Sequence, residues 1–277
     1  DVTSSVSYLY DRVIKDEKYK DAFISSEEAL KLVNRKTLLI IVDVYKQGLC
    51  ECPELVDKVK KIVVFDHHRK GVDYIENAVL TYHEPYASST CELITEMLMY
   101  INKNIAIKQV EADSILAGII VDTKNFAFKT GIKTFEAAAF LKKKGADTIR
   151  VKKLFKNSLD CYNARASVVS NMKLYRDNLA ISILDIDVET PLLVVAQACD
   201  ELLNIDNINA SFVLCRLNDK ISISARSFGE VNVQIIMEKL GGGGHQSISA
   251  TQIKDVTIDE AINMLKEAID EYFKEEE

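Results

Sequence analysis

Val63-Val64-Phe65-Asp66-His67-His68-Arg69-Lys70-Gly71 is the stretch from which the rest of the chain is read. Three β-formers run into an acid, two adjacent imidazoles and a basic pair, which puts the polar groups at the C-terminal end of a buried strand. In open α/β sheets that end is where ligands gather. In extended backbone Asp66 and His67 point to opposite faces while Asp66 and His68 share one, so the strand end can offer one imidazole to a metal and the other to a substrate. The competing reading is a solvated strand-to-loop corner. Two consecutive His in a chain that has only 4 weigh against it.

Working outward, Thr37-Leu38-Leu39-Ile40-Ile41-Val42-Asp43 repeats the design, an almost continuous apolar run ending in an acid. Such runs are typical of strands covered on both faces in a parallel sheet. Ile115-Leu116-Ala117-Gly118-Ile119-Ile120-Val121-Asp122 is a third version, although a run this short reads equally as a buried helix. Three apolar elements that each deliver an Asp at the C-terminal end, beside a His pair, point to a divalent cation. Carboxylate and imidazole donors suit Mn²⁺ or Fe²⁺ rather than structural zinc, which takes thiolates.

The totals set the frame. At 277 residues the chain has room for two domains with separate cores. A hydrophobic content of 48% and a charged content of 28% are those of a soluble globular protein. No apolar run approaches the ~20 residues of a membrane helix. The chain opens on Asp1 with neither an initiator Met nor a signal peptide, and so reads as a piece of something longer. The 6 Cys lack metal-like spacing, Cys50-Glu51-Cys52 being too tight for a zinc pair, and read as reduced thiols, Cys91 in a helix and Cys215 in a strand. A net charge of -7 argues against long nucleic acid as a partner. It leaves room for a small phosphate ligand where metals and local basic groups reverse the field.

Along the chain, Ser4 to Val33 is helical in character, with Ser25 as an N-cap. In His83-Glu84-Pro85-Tyr86-Ala87-Ser88-Ser89-Thr90-Cys91-Glu92, Ser89 and Glu92 fit a capping box; the same helix start could hold a phosphate on its free N–H groups and hydroxyls. The helix around Phe135 to Leu141 ends in Lys142-Lys143-Lys144-Gly145. Residues 1–155 read as a first domain, 156–173 as a helical linker and 174–277 as a second domain. In the latter, Phe212–Arg216 and Lys220–Arg226 pair as a hairpin across Asn218-Asp219, and the tail Lys274 to Glu277 reads as frayed. Four consecutive glycines, Gly241-Gly242-Gly243-Gly244, precede His245. One would cap the helix; the excess suggests backbone that approaches something closely, as an anion-binding nest or a flexible loop. Arg226 at a strand end is either a phosphate or nucleobase clamp or a surface ion pair.

Taken together, Asp43, Asp66-His67-His68, Asp122 and Gly241-Gly242-Gly243-Gly244-His245 resemble the DHH–DHHA1 phosphoesterase superfamily. Within it, Glu84-Pro85-Tyr86-Ala87-Ser88-Ser89-Thr90, Ala117 to Phe126 and Ser224-Ala225-Arg226-Ser227 resemble the GdpP-type cyclic-di-AMP phosphodiesterases. The resemblance implies an α/β fold: a DHH domain with a mainly parallel sheet flanked by helices, then a smaller α/β DHHA1 domain with a mixed sheet that closes over the nucleotide. It implies two Mn²⁺ ions, with Asp43 as the bridging carboxylate and His67 and Asp122 as further metal ligands. His68 would face the scissile phosphate and Asp66 orient the neighbouring imidazole. Arg226, Gly242, Gly243, Gly244, His245, Ser88 and Ser89 would bind substrate.

The implied reaction is two-metal in-line attack of hydroxide on cyclic-di-AMP, giving linear 5′-pApA. The alternatives are hydrolysis of short oligoribonucleotides or of 3′-phosphoadenosine 5′-phosphate (pAp), or nucleotide binding without turnover. This sequence departs from the family pattern in two places. The first motif, His-x-x-x-Asp-x-Asp, has no match, so one ion or none is expected on this segment, with very low activity of its own and an unpaired edge beside the strand of Asp43. Val44-Tyr45 stands where relatives carry Thr-His. The full-length family adds upstream membrane and regulatory domains that place such a region at the cytoplasmic face; a homodimer is compatible with it.

Overall fold

The computed structural model describes residues 4–69, 71, 73–101, 105–156 and 158–276; Lys70 of the basic pair and Glu277 lie outside them. The chain divides into two compact units, Asp1–Lys156 and Asn157–Glu277. In the first, α1 (Ser4–Ile14) and α2 (Ser26–Leu32) precede β1 (Leu38–Val42). There follow α3 (Glu54–Lys58), β2 (Lys61–Asp66), β3 (Leu80–His83), α4 (Thr90–Ile101), α5 (Gln109–Asp122), α6 (Ile132–Lys143) and α7 (Thr148–Leu154). Ser25 caps α2 in a capping box with Glu28.

The three strands are parallel in the order β1-β2-β3. Ile62 and Val64 of the central strand pack with Ile41, Val56, Val59 and Ile75. Register then decides function: Val42 lies opposite Phe65 and Asp66 opposite His83, so Asp43, Asp66 and His67 emerge at one end of the sheet. Only one face of β1 is covered. Ile41 is buried, but Leu38, Ile40 and Val42 on the other face are 52%, 53% and 50% exposed. Among the described residues β1 is an edge strand, so it is not the doubly covered strand that its apolar run suggests.

Ile115–Asp122 is the C-terminal part of helix α5. Its Ala112, Leu116, Ala117 and Ile119 pack with Ala137, Leu141 and Val151 of α6 and α7. An added Cβ on Gly118 would stand 2.3 Å from Cys91 Sγ, which is why glycine lies at this crossing of α4 and α5. Two strands and one helix, rather than three like elements, therefore deliver the acids.

Buried Asp113 ties α1, α5 and α7 together. It accepts from Arg12 Nη2 at 2.8 Å, Arg150 Nε at 2.7 Å and the Asp147 N–H at 2.8 Å. Burial alone would raise its pKa; the Arg150 guanidinium, the Asp147 N–H and Arg12 together hold it below the usual carboxylate range. Arg12→Ala removes one charged donor and leaves the others, so it should cost about 1–2 kcal/mol in a denaturant midpoint measurement.

The second unit contains α8 (Leu159–Ser170), β4 (Lys173–Tyr175), β5 (Leu179–Leu184), α9 (Pro191–Leu202), β6 (Ala210–Leu217) and β7 (Lys220–Ser227). It continues with α10 (Val233–Lys239), β8 (Gly243–His245), β9 (Ile248–Lys254) and α11 (Ile258–Glu276). The sheet order is β4-β5-β6-β7-β9-β8, with β5 and β6 parallel and the other neighbours antiparallel. Alternation along β6 feeds two cores: Phe212 and Leu214 pack with α10 and α11, Val213 and Cys215 with α8 and α9. Thus α8, from the stretch read as a connection, packs Ala164 and Val168 into this unit. The β6–β7 hairpin turns at Asn218-Asp219 with Asn218 at φ 54°. Helix α11 continues through Lys274 and Glu275 to Glu276, residues read as a frayed tail. No helix among the described residues is long and apolar enough to cross a membrane.

Candidate active site

Asp43 follows β1 in left-handed backbone, φ 66°, a conformation that disfavours a residue with a Cβ. Its N–H still donates to the Phe65 carbonyl at 2.9 Å, extending the parallel ladder by one step and turning the side chain toward the end of β2. There Thr90 Oγ1 donates to Asp43 Oδ1 at 2.8 Å. Buried His67 directs Nδ1 at the Ala87 carbonyl, 3.3 Å away. A carbonyl only accepts, so Nδ1 is the donor of this pair and Nε2 is the nitrogen turned to the strand-end acids. Nε2 lies 3.6 Å from Asp43 Oδ1 and 3.9 Å from Asp122 Oδ2. An imidazole nitrogen beside two carboxylates, at distances beyond a hydrogen bond, is an arrangement that a cation would satisfy. One ligand atom each of Asp43, His67 and His68 also lie within 4.8 Å of one another.

His68 is held from the other side. Buried Asp66 accepts both the His68 backbone N–H at 3.1 Å and its Nδ1–H at 2.7 Å on the same oxygen. Nε2 is left as the free ring nitrogen on a half-exposed side chain. The second oxygen, Asp66 Oδ2, is buried without a hydrogen-bond partner among the described residues. His83, level with Asp66 on β3, donates through Nε2 to the His68 carbonyl and steadies the turn. Sequence reasoning missed His83, Thr90 and the Ala87 carbonyl. The signals for Thr90 were its place next to a candidate cap and in the stretch Glu84–Thr90 that carries the family resemblance, neither of which assigned it a role.

Burial pushes the Asp122 carboxyl above its ordinary value, with Asp43 adding to the rise and His67 opposing it. Burial and the same two acids push the Cys91 thiol up to about 12, so it is inert. The sign for Asp122 follows from linkage. A carboxyl whose folded pKa is raised contributes stability below its ordinary 3.8 and loses it as pH rises through the raised value. Asp122→Asn should therefore raise the melting temperature of metal-free protein at neutral pH, with no gain in strong acid, and weaken cation binding. A lower melting temperature at pH 7 would contradict this.

A cavity of about 370 Å³ adjoins Asp43 and Asp122, lined mainly by apolar groups including Val42, Ile94, Ile115 and Val121. The larger cavity of about 740 Å³, in the second unit between β4, β5 and α11, is lined by none of the candidate residues. Ser88 and Ser89 are both buried. Ser88 Oγ donates to Glu92, and Ser89 Oγ accepts the Glu92 N–H at 3.0 Å. In the second unit, Arg226 is largely buried, with Nε 3.5 Å from Asp200 Oδ1 and Nη1 donating to the Ala225 carbonyl at 2.9 Å. Part of the glycine run is strand. Gly243–His245 form β8, paired antiparallel with β9.

The first unit has a parallel sheet with acids and imidazoles at its strand ends, and the second a mixed sheet with a glycine-rich edge hairpin. Residues 1–119 match the DHH family, N-terminal domain, and residues 177–275 the DHHA1 domain. The chain belongs to the DHH–DHHA1 family. It is 48% identical over 276 residues to the cyclic-di-AMP phosphodiesterase GdpP of Bacillus subtilis, covering 99% of this chain and 42% of that protein. It is 30% identical over 240 residues to the bifunctional oligoribonuclease and PAP phosphatase NrnA of Mycoplasma genitalium, covering 81% of this chain and 73% of that protein. The chain thus spans less than half the length of the GdpP relative. An exopolyphosphatase-related protein from Bacteroides fragilis shares the fold at a TM-score of 0.79, with 21% identity over 98% of this chain and 80% of that one.

Proposed function

We propose that this chain is the catalytic region of a metal-dependent phosphodiesterase that opens cyclic-di-AMP to linear 5′-pApA. The observation that carries the reading is His67 Nε2 placed between the carboxylates of Asp43 and Asp122, 3.6 Å and 3.9 Å away. The activity named for the Bacillus subtilis relative supports the substrate. Asp43, His67 and Asp122 would hold the cation, and their donor mixture favours Mn²⁺. Such an ion, when bound, supplies Lewis-acid polarisation of phosphoryl oxygens and a water acidified toward neutral pH. His68 is assigned to the phosphoryl oxygens through Nε2, while Asp66 fixes its ring by holding Nδ1–H. Arg226, His245 and the hairpin of Gly242, Gly243 and Gly244 are assigned to nucleotide binding. Ser88 and Ser89 border the same strand-end site from the start of α4.

A second reading comes from the Mycoplasma genitalium relative, whose named activities are on short oligoribonucleotides and pAp. Rates of the Mn²⁺-loaded full-length protein on cyclic-di-AMP, pApA and pAp, measured side by side, separate the two. Faster turnover of pApA or pAp than of cyclic-di-AMP would overturn the first reading in favour of the second, and no cleavage of any of the three would overturn both.

A further inference from the structure

Glu92 is 3% exposed, and among the described residues no basic side chain pairs with it. A carboxylate so buried is costly unless several donors hold it. It has three on one oxygen: Ser88 Oγ, the Ser88 N–H at 3.3 Å and Thr134 Oγ1 of α6 at 2.6 Å. Helix capping does not account for this. Ser89 caps α4 by accepting the Glu92 N–H, yet the Glu92 carboxylate does not complete the box by returning to the Ser89 N–H; it reaches one residue further back.

That extra reach fixes the segment from which both strand-end ligands are held. The carbonyl of Ala87, next to Ser88, receives the His67 Nδ1–H, and Thr90, two residues after Ser88, donates to Asp43. Thr134 Oγ1 in turn accepts the Gly131 N–H at 3.0 Å, anchoring the chain of bonds in α6. We propose that Glu92 is a positioning residue: with Ser88 and Thr134 it locks residues 87–90, so that Ala87 selects the Nδ1–H form of His67 and Thr90 orients Asp43. This rests on the cation reading of Asp43 and His67.

The most specific probe is Thr134→Val, isosteric and in contact with neither ligand; Glu92→Gln is the direct one. Two readouts apply. In metal-free protein, ¹⁵N NMR of His67 should show one Nδ1–H tautomer, and each variant a mixture. In Mn²⁺ titrations followed by electron paramagnetic resonance, both variants should bind about 10-fold to 100-fold more weakly. Arg12→Ala, a structural control elsewhere in the unit, should change neither. An Nε2–H tautomer in the unmodified protein overturns the proposal. So do variants that lose stability while keeping the tautomer. Intact Mn²⁺ binding and tautomer without cleavage of cyclic-di-AMP would leave the positioning role standing and overturn only the substrate.

Discussion

In the full-length protein, His67→Ala is expected to lower Mn²⁺-dependent phosphodiester cleavage at least about 10³-fold, the loss of roughly 4 kcal/mol of transition-state stabilisation. The loss should appear first as metal affinity, because Nε2 lies between Asp43 and Asp122 and is proposed as the imidazole ligand. His68→Ala should differ in kind. Its Nδ1 is committed to Asp66, and the remaining nitrogen is assigned to phosphoryl oxygen, so kcat should fall by about 10²–10⁴ with Mn²⁺ affinity nearly kept. The assignment is open to a sharp test, since a ligand atom of His68 lies within 4.8 Å of those of Asp43 and His67. Equal losses of Mn²⁺ affinity in the two variants would make His68 a ligand. Both substitutions leave the β1–β2–β3 register untouched, so circular dichroism should not change.

How far the sequence could be read depended on which interactions are local. Asp66 and His68 sit two residues apart at a strand end, and their bond is a consequence of pleat geometry and a short turn. The hairpin at Asn218-Asp219 was legible for the same reason, since adjacent strands and turn residues announce it. Asp122 was ambiguous because the seven residues before it, all apolar or glycine, satisfy a buried strand or a buried helix alike. The tie was broken by Gly118, whose missing side chain matters only where Cys91, far away in sequence, packs against it. Thr90 and Glu92 were hidden for a related reason. Both sit in an ordinary helix start, and their other partners, Asp43 and Thr134, are 47 and 42 residues away.

The glycine run was legible as unusual but not as a hairpin, and it yields the other large effect. Gly241 at φ 75° ends α10 in a Schellman motif: its N–H donates to the Glu238 carbonyl at 3.0 Å and that of Gly242 to Met237 at 2.8 Å. A Cβ on Gly242 would stand 2.3 Å from the Ala250 carbonyl oxygen, and one on Gly244 2.4 Å from that of Ile248, both backbone atoms that cannot step aside. Gly242→Ala and Gly244→Ala should each cost about 3 kcal/mol or more, detected as a fall in the denaturant midpoint. At Gly243 a Cβ would meet nothing within 4 Å, and no positive φ demands glycine. Folding therefore does not explain the third glycine, which under the proposed function lies where β8 meets the nucleotide. Gly243→Ala should leave stability within about 0.5 kcal/mol and raise KM for the nucleotide about tenfold, the cost of one obstructed contact. An unchanged KM would remove Gly243 from the binding surface and leave Arg226 and His245 to carry recognition in this unit.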